Sequence, residues 1–196
     1  MQVLMTVLKW VVGIALIPAV VAATNRFLEE LSNIGHPARL MELGGIVYVV
    51  LNLFFCRLEG VYQVGQKIFI EIFKFNTPLA AVVPRIIPLW TIVVMLVYFF
   101  LHRVFDLRHF DTYLQFFMGL TFVMHLVLTA QQINKEDGLI IKPHYLCAMG
   151  LTYIALLAVA VGLLDALYSD VSLVRYLKHF GEVTLKYYGM IFRRMM

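Results

Sequence analysis

The chain has 196 residues, of which 62% are apolar and only 14% are charged, and its mean hydropathy is +0.85. Soluble domains are closer to half apolar and a quarter charged, so this composition excludes an ordinary water-soluble protein. The net charge of +4 is typical of membrane proteins, which carry excess Lys and Arg at their cytoplasmic edges, and it does not indicate a nucleic-acid partner. The apolar runs are continuous and about 20 residues long, which predicts an all-α fold, a polytopic transmembrane helix bundle of five to six spans.

Five apolar runs along the chain predict membrane spans. They are Val3–Ala23, Leu43–Cys56, Ala80–Leu101, Thr112–Ala130 and His144–Leu167. The second run is short for a span, and it follows a polar stretch, Thr24–Glu42, that we expect to connect the first two helices. The third run carries Pro84 and Pro88 near its start, and this pair predicts a kinked or irregular beginning of the helix.

The segment Leu58–Phe75 permits two interpretations, which decide between five and six spans. Its polar side chains all fall on one helical face; they are Gln63, Gln66, Lys67, Glu71 and Lys74. Because Lys67 and Glu71 are four residues apart, we expect them to form an ion pair along the helix. The helix either lies in the membrane interface or crosses the membrane with its polar face toward the bundle interior.

We expect two regions in the chain, a transmembrane helical bundle in residues 1–170 and a basic amphipathic helix in residues 171–196. Basic side chains recur on one face and apolar or aromatic side chains on the rest, which is typical of an amphipathic C-terminal helix resting on an anionic leaflet. Arg175, Lys178 and Lys186 are its candidate interaction residues. The alternative is a solvated helix that packs on a partner subunit. The basic tail favours a cytoplasmic C-terminus, in an inner or plasma membrane.

Histidines near the ends of two predicted spans raise the alternative of haem b. His125 lies about two turns before the end of its helix and His144 starts the next, so both belong near one membrane face. A pair of imidazoles from two helices is one way in which proteins hold haem iron. The simpler interpretation is that His125 forms a hydrogen bond with another helix. The sequence has no Gly-x-Ser-x-Gly elbow and no phosphate-binding glycine loop.

The order of several short motifs resembles site-2-protease-type intramembrane zinc metallopeptidases. The motifs are Gly44-Gly45-Ile46-Val47-Tyr48, Tyr62-Gln63-Val64-Gly65, Pro84-Arg85-Ile86-Ile87-Pro88-Leu89-Trp90 and Gly119-Leu120-Thr121-Phe122-Val123-Met124-His125. The family's His-Glu-x-x-His motif is missing, and Gln66-Lys67-Ile68-Phe69-Ile70 stands in its place. Two histidines of that motif would bind Zn²⁺ and its glutamate would activate water, so the resemblance implies a relative without catalytic zinc.

These observations predict a non-catalytic integral membrane subunit, without a cofactor or a metal, that acts as a scaffold or accessory component of a membrane protein complex. Its expected partners are the lipid bilayer and other integral membrane subunits, in a homo- or hetero-oligomer. Two alternatives remain: a haem-binding electron-transfer subunit, and a transporter for a small solute or ion. A transporter would depend on Asp165 or on Lys67 and Glu71.

Overall fold

The computed structural model describes residues 2–54, 58–75, 77–104, 110–137 and 143–195. The secondary structure of these ranges is helical, and the helices follow one another as α1 (Gln2–Ser32), α2 (His36–Phe54), α3 (Glu59–Ile72), α4 (Thr77–Ile86), α5 (Leu89–Val104), α6 (Asp111–Asp137), α7 (Pro143–Leu167) and α8 (Leu173–Met195). The predicted all-α class is therefore confirmed.

Four of the described helices are long and apolar enough to cross a membrane. They are the segments Trp10–Ser32, His36–Phe54, Asp111–Asn134 and Tyr145–Leu167, which belong to α1, α2, α6 and α7. Length and composition thus support an integral membrane protein. The predicted span Ala80–Leu101 is instead divided into α4 and α5, and the break follows Ile86, where the proline pair predicts irregular backbone.

The polar stretch between the first two spans is mostly helical, which corrects our expectation of a long connection. α1 continues to Ser32 and α2 already begins at His36. The turn between them is made at Gly35, whose φ of 74° lies in the left-handed region that glycine adopts without strain. The residue after His36 is Pro37, and proline suits the first turn of a helix because the amide it lacks has no partner there.

The chain divides into two compact units, of which the first comprises Met1–Asn33 and Ala130–Met196. In this unit α1 and α7 run parallel. Their contacts rise together along both helices, since Gly13 packs on Leu146, Leu16 packs on Gly150, and the Thr24 hydroxyl lies 3.1 Å from the Tyr153 hydroxyl. A Cβ on Gly13 would lie 2.9 Å from Leu146, so the glycine permits this close approach.

The C-terminal helix α8 packs on α1 and α7 and belongs to the same unit. The side chain of Tyr176 is fully buried, and its hydroxyl donates to the Ala23 carbonyl over 3.4 Å. Burial, with a smaller contribution from Tyr153, raises the pKa of Tyr176 to about 12. The hydroxyl therefore stays protonated at neutral pH and can act as a donor.

The second unit, Ile34–Thr129, holds α2 to α5 and most of α6. α2 and α6 also run parallel, because their contacts again rise together along both helices. The contacts are Met41 with Gly119, Gly44 with Phe116 and Leu120, and Gly45 with Val123. One turn further along, Tyr48 shares a buried cluster with Met124 and Leu128. Glycines allow this approach, since a Cβ on Gly44 or Gly119 would overlap the backbone of the opposite helix.

Candidate functional site

The break between α4 and α5 removes hydrogen-bond donors from buried backbone. In a continuous helix each carbonyl accepts from the amide four residues later, so Pro84 would need Pro88 as its donor. Proline has no amide hydrogen, and α4 ends at Ile86, which also takes the Arg85 carbonyl out of the regular ladder. Because Pro88 is fully buried, water is a poor substitute at this point.

Gln66 on α3 supplies the donor that Pro88 lacks. Its Nε2 donates to the Pro84 carbonyl over 3.1 Å and also to the Tyr62 hydroxyl one turn earlier on α3. The Tyr62 hydroxyl in turn lies 2.9 Å from the Thr129 hydroxyl on α6. A chain of hydrogen bonds thus connects the end of α4, through α3, with α6.

His125 on α6 serves the next carbonyl. Its Nε2 lies 3.1 Å from the Arg85 carbonyl, and because a carbonyl only accepts, the tautomer protonated at Nε2 is the one that fits. The imidazole is 6% exposed and tilts against the Tyr62 ring, with 5.6 Å between ring centroids. This geometry confirms the simpler interpretation of His125, a hydrogen bond to another helix.

We refer to Tyr62, Gln66, His125 and Thr129 as the break cluster. Beside it the Trp90 indole donates to the Val61 carbonyl over 2.9 Å, and Gly65 leaves room for the ring, since a Cβ there would lie 3.0 Å from Trp90 Nε1. The cavity among these side chains is about 10 Å³, which is at the lower limit for one water molecule. The break cluster is therefore closely packed around the ends of α4 and α5.

Neither zinc nor haem fits the break cluster as it is built. Gln66 stands where the resemblance would place a zinc-binding histidine, and its amide is engaged by Pro84 and Tyr62. Lys67 and Ile70 point away from the cluster and are exposed. A porphyrin has no room in a cavity of about 10 Å³, and His125 Nε2 already faces the Arg85 carbonyl. Among the described residues, no three His, Cys, Asp or Glu side chains cluster as metal ligands.

The remaining predicted site residues are distributed over both units. Glu71 forms its ion pair with Lys74, at 3.1 Å, and not with Lys67 as we expected, because three residues as well as four bring side chains together on a helix. Asp165 accepts the Leu173 amide over 3.2 Å and thereby caps the start of α8. The side chain of His144 lies outside the described residues, so the proposed haem pair stays a prediction.

Arg175 takes part in the fold of the first unit. Its guanidinium forms a two-pronged pair with Glu30, in which Nε lies 2.7 Å from Oε1, and it also donates to the Asp170 carbonyl over 2.6 Å. Glu30 is only 5% exposed. The adjacent carboxylate raises the pKa of Arg175, which stays charged. By contrast, Lys178 and Lys186 are exposed.

The sequence analysis predicted neither the hydrogen bond from Gln66 to the Pro84 carbonyl nor the pairing of Glu30 with Arg175. The spacing of Pro84 and Pro88 contained the signal for the first, since a proline four residues after another residue always leaves that residue's carbonyl without a helical donor. No comparable signal identifies the partner of Glu30, because Arg175 lies 145 residues later in the chain.

Comparisons with protein-family models, with curated proteins and with solved structures gave no match.

Proposed function

We propose that this chain is a non-catalytic integral membrane subunit that acts as a scaffold or accessory component of a membrane protein complex. The observation that carries the proposal is the use of Gln66 and His125. At the position where the resemblance would place a zinc-binding histidine, Gln66 donates to the Pro84 carbonyl at a helix break. His125 is hydrogen-bonded to the next carbonyl, that of Arg85. Such hydrogen bonds hold helices together, because a buried carbonyl without a hydrogen-bond donor lowers the stability of the folded chain.

The proposed topology has five spans, formed by α1, α2, α4 with α5, α6 and α7. Helices that run parallel cross the membrane in the same direction, so an odd number of crossings must separate α2 from α6. The parallel pair α1 and α7, in the other unit, requires the same parity. α3 has 14 residues, about 21 Å, which is short of the roughly 30 Å hydrocarbon layer. We therefore propose that α3 packs on α6 at the break cluster without crossing the membrane, and that α4 and α5 together make one crossing.

Labelling of single cysteines from one side of the membrane tests this topology. Asn33 follows α1 and Asp170 follows α7, and both are exposed. In a background without the native cysteines, Asn33→Cys and Asp170→Cys should react with an impermeant maleimide from the same side. Six spans would place the two positions on opposite sides, and that result would exclude the five-span arrangement.

The C-terminal helix α8 is proposed as an amphipathic helix at the cytoplasmic surface. One side packs on α1 and α7, while Val174, Leu177, Leu185 and Phe192 remain exposed next to a basic face that includes Lys178 and Lys186. An apolar face beside a basic face suits the boundary between acyl chains and anionic headgroups. The five Lys and Arg residues after Asp170 favour the cytoplasmic leaflet of an inner or plasma membrane.

Partner binding is proposed for the exposed apolar face of α2. Leu43, Ile46, Val50, Leu53 and Phe54 share one side of that helix and are exposed within the described chain. In-membrane cross-linking, purification in mild detergent and mass spectrometry test the proposal. We expect a reproducible membrane-protein partner that cross-links to α2 positions, whereas a monomer with no cross-linked partner would refute it. A Soret band in the same preparation would instead support the haem alternative.

Transport is a second candidate, and the observation that favours it is the discontinuity of α4 and α5. Transporters often build their substrate sites from interrupted helices. Flux of small solutes or ions in liposomes that is lost in Gln66→Leu, with unchanged insertion, would favour transport over the scaffold. Equal flux in protein-free liposomes would exclude it.

A further inference from the structure

A groove of about 470 Å³ lies between the end of α1 and α8 in the first unit. Its lining residues are Asn25, Arg26, Leu28, Glu29, Ser32, Val183, Lys186 and Tyr187. Polar and apolar side chains therefore share the walls, and the groove is open to the outside. We refer to it as the α1–α8 groove.

The charges of the α1–α8 groove favour an anion. Arg26 forms an ion pair with Glu29. In the part of the chain that the structure describes, Lys186 forms no ion pair, so its positive charge is not compensated. Asn25 donates to the Tyr187 hydroxyl over 3.2 Å, so the hydroxyl keeps its own proton for an acceptor. Two cations, one carboxylate and a hydroxyl donor give a site with a net positive charge.

The position of the groove along α1 points to the kind of anion. Asn25 is two residues beyond Ala23, where the apolar run of α1 ends, and it lies in the polar last third of the segment Trp10–Ser32. We expect this polar end of α1 at the level of the lipid headgroups. Directly before the groove, Ile14, Ile17 and Val21 are 57%, 50% and 44% exposed. Leu28, which lines the groove, follows Val21 by seven residues, or two helical turns, and so lies on the same face of α1. One apolar stripe therefore leads out of the groove.

We propose that the α1–α8 groove binds an anionic phospholipid, with the phosphate beside Lys186 and Arg26 and an acyl chain along Ile14, Ile17 and Val21. This inference rests on the proposed function in one respect, since α1 must cross the membrane. A free phosphate would use the cations but would gain nothing from the apolar stripe. A phospholipid uses both features, and the lipid is the source that the combined geometry favours.

Native mass spectrometry of the full chain in detergent tests the site, with phosphatidylglycerol and phosphatidylcholine as the added lipids. Lys186→Gln should weaken phosphatidylglycerol binding about fivefold, the effect expected for one cation near an anionic headgroup, and leave phosphatidylcholine binding unchanged. Lys178→Gln is the matched control, because Lys178 is exposed on the same helix but does not line the groove. Because Lys178 belongs to the proposed basic face of α8 but not to the groove, Lys178→Gln should weaken phosphatidylglycerol binding much less than Lys186→Gln does.

Three results would overturn the inference. Equal weakening by Lys178→Gln would mean that the helix attracts anionic lipid only through its total charge. Displacement of bound phosphatidylglycerol by millimolar inorganic phosphate would identify a site for free phosphate. Equal binding of both lipids would mean that the groove does not select an anion. Cross-linking of the unaltered chain to a membrane partner does not involve the groove, so it reports on the proposed function independently.

Discussion

The Gln66 side chain donates a hydrogen bond to the Pro84 carbonyl, and its Nε2 lies 3.1 Å from the carbonyl oxygen. Pro88 has no amide hydrogen to donate to this carbonyl. A second side chain, His125, meets the next carbonyl in the same way. The break between α4 and α5 is thus stabilised from two neighbouring helices.

Gln66→Leu should lower the free energy of unfolding by about 1–3 kcal/mol, the usual cost of leaving a buried acceptor without its donor. The measurement is denaturant unfolding in detergent. Gln63→Leu is the matched control, since Gln63 is exposed on the same helix, and it should be close to neutral.

Pro88→Ala provides a second test of the same contact. Alanine restores an amide four residues after Pro84, so Gln66→Leu should cost less in the Pro88→Ala background than in the unaltered chain. A double-mutant cycle measures this difference. Strictly additive effects would show that Gln66 does not replace the missing proline amide.

His125→Ala should destabilise the chain by about 1–3 kcal/mol, because it removes the donor to Arg85 and leaves a cavity against Tyr62. His125→Gln retains an N–H donor and should recover part of that loss. Unfolding in detergent measures both variants. If neither variant differed from the unaltered chain, the hydrogen bond to Arg85 would have no energetic role.

Glu30→Ala should loosen α8 from α1, because Arg175 loses its carboxylate partner. We expect a loss of about 1–3 kcal/mol and faster proteolytic cleavage within α8, as measured by limited proteolysis in detergent. Glu29→Ala removes an exposed ion pair with Arg26 and should cost less than about 1 kcal/mol. Equal protease sensitivity of the two variants would contradict the role of Glu30.

Gly119→Ala should impair assembly of α2 and α6, because its Cβ would overlap the Met41 backbone. The expected effect is several kcal/mol or failure to fold, measured by monodispersity and thermal unfolding in detergent. Gly181→Ala meets open space on α8 and should be neutral or stabilise by about 0.5–1 kcal/mol. A well-folded Gly119→Ala variant would show that the two helices do not approach so closely.

The helical class and the break at the proline pair could be predicted from the sequence, because the length of apolar runs and the missing proline amide act locally. The ends of the helices were harder to predict. Thr24–Ser32 has polar residues, but a polar surface ends the apolar run without ending the helix, and the sharper signal was Gly35 followed by Pro37. The pairing of Glu30 with Arg175 depends on tertiary packing and has no local signature.

The parallel packing of α1 on α7 also bears on biosynthesis. Gly13 and its contact Leu146 are separated by most of the chain, and α8 follows later still. At ribosomal rates of about 5–20 residues per second, α1 waits roughly 7–27 s in the membrane before its neighbour emerges. During that interval the face of α1 at Gly13 lacks the helix that covers it in the folded chain.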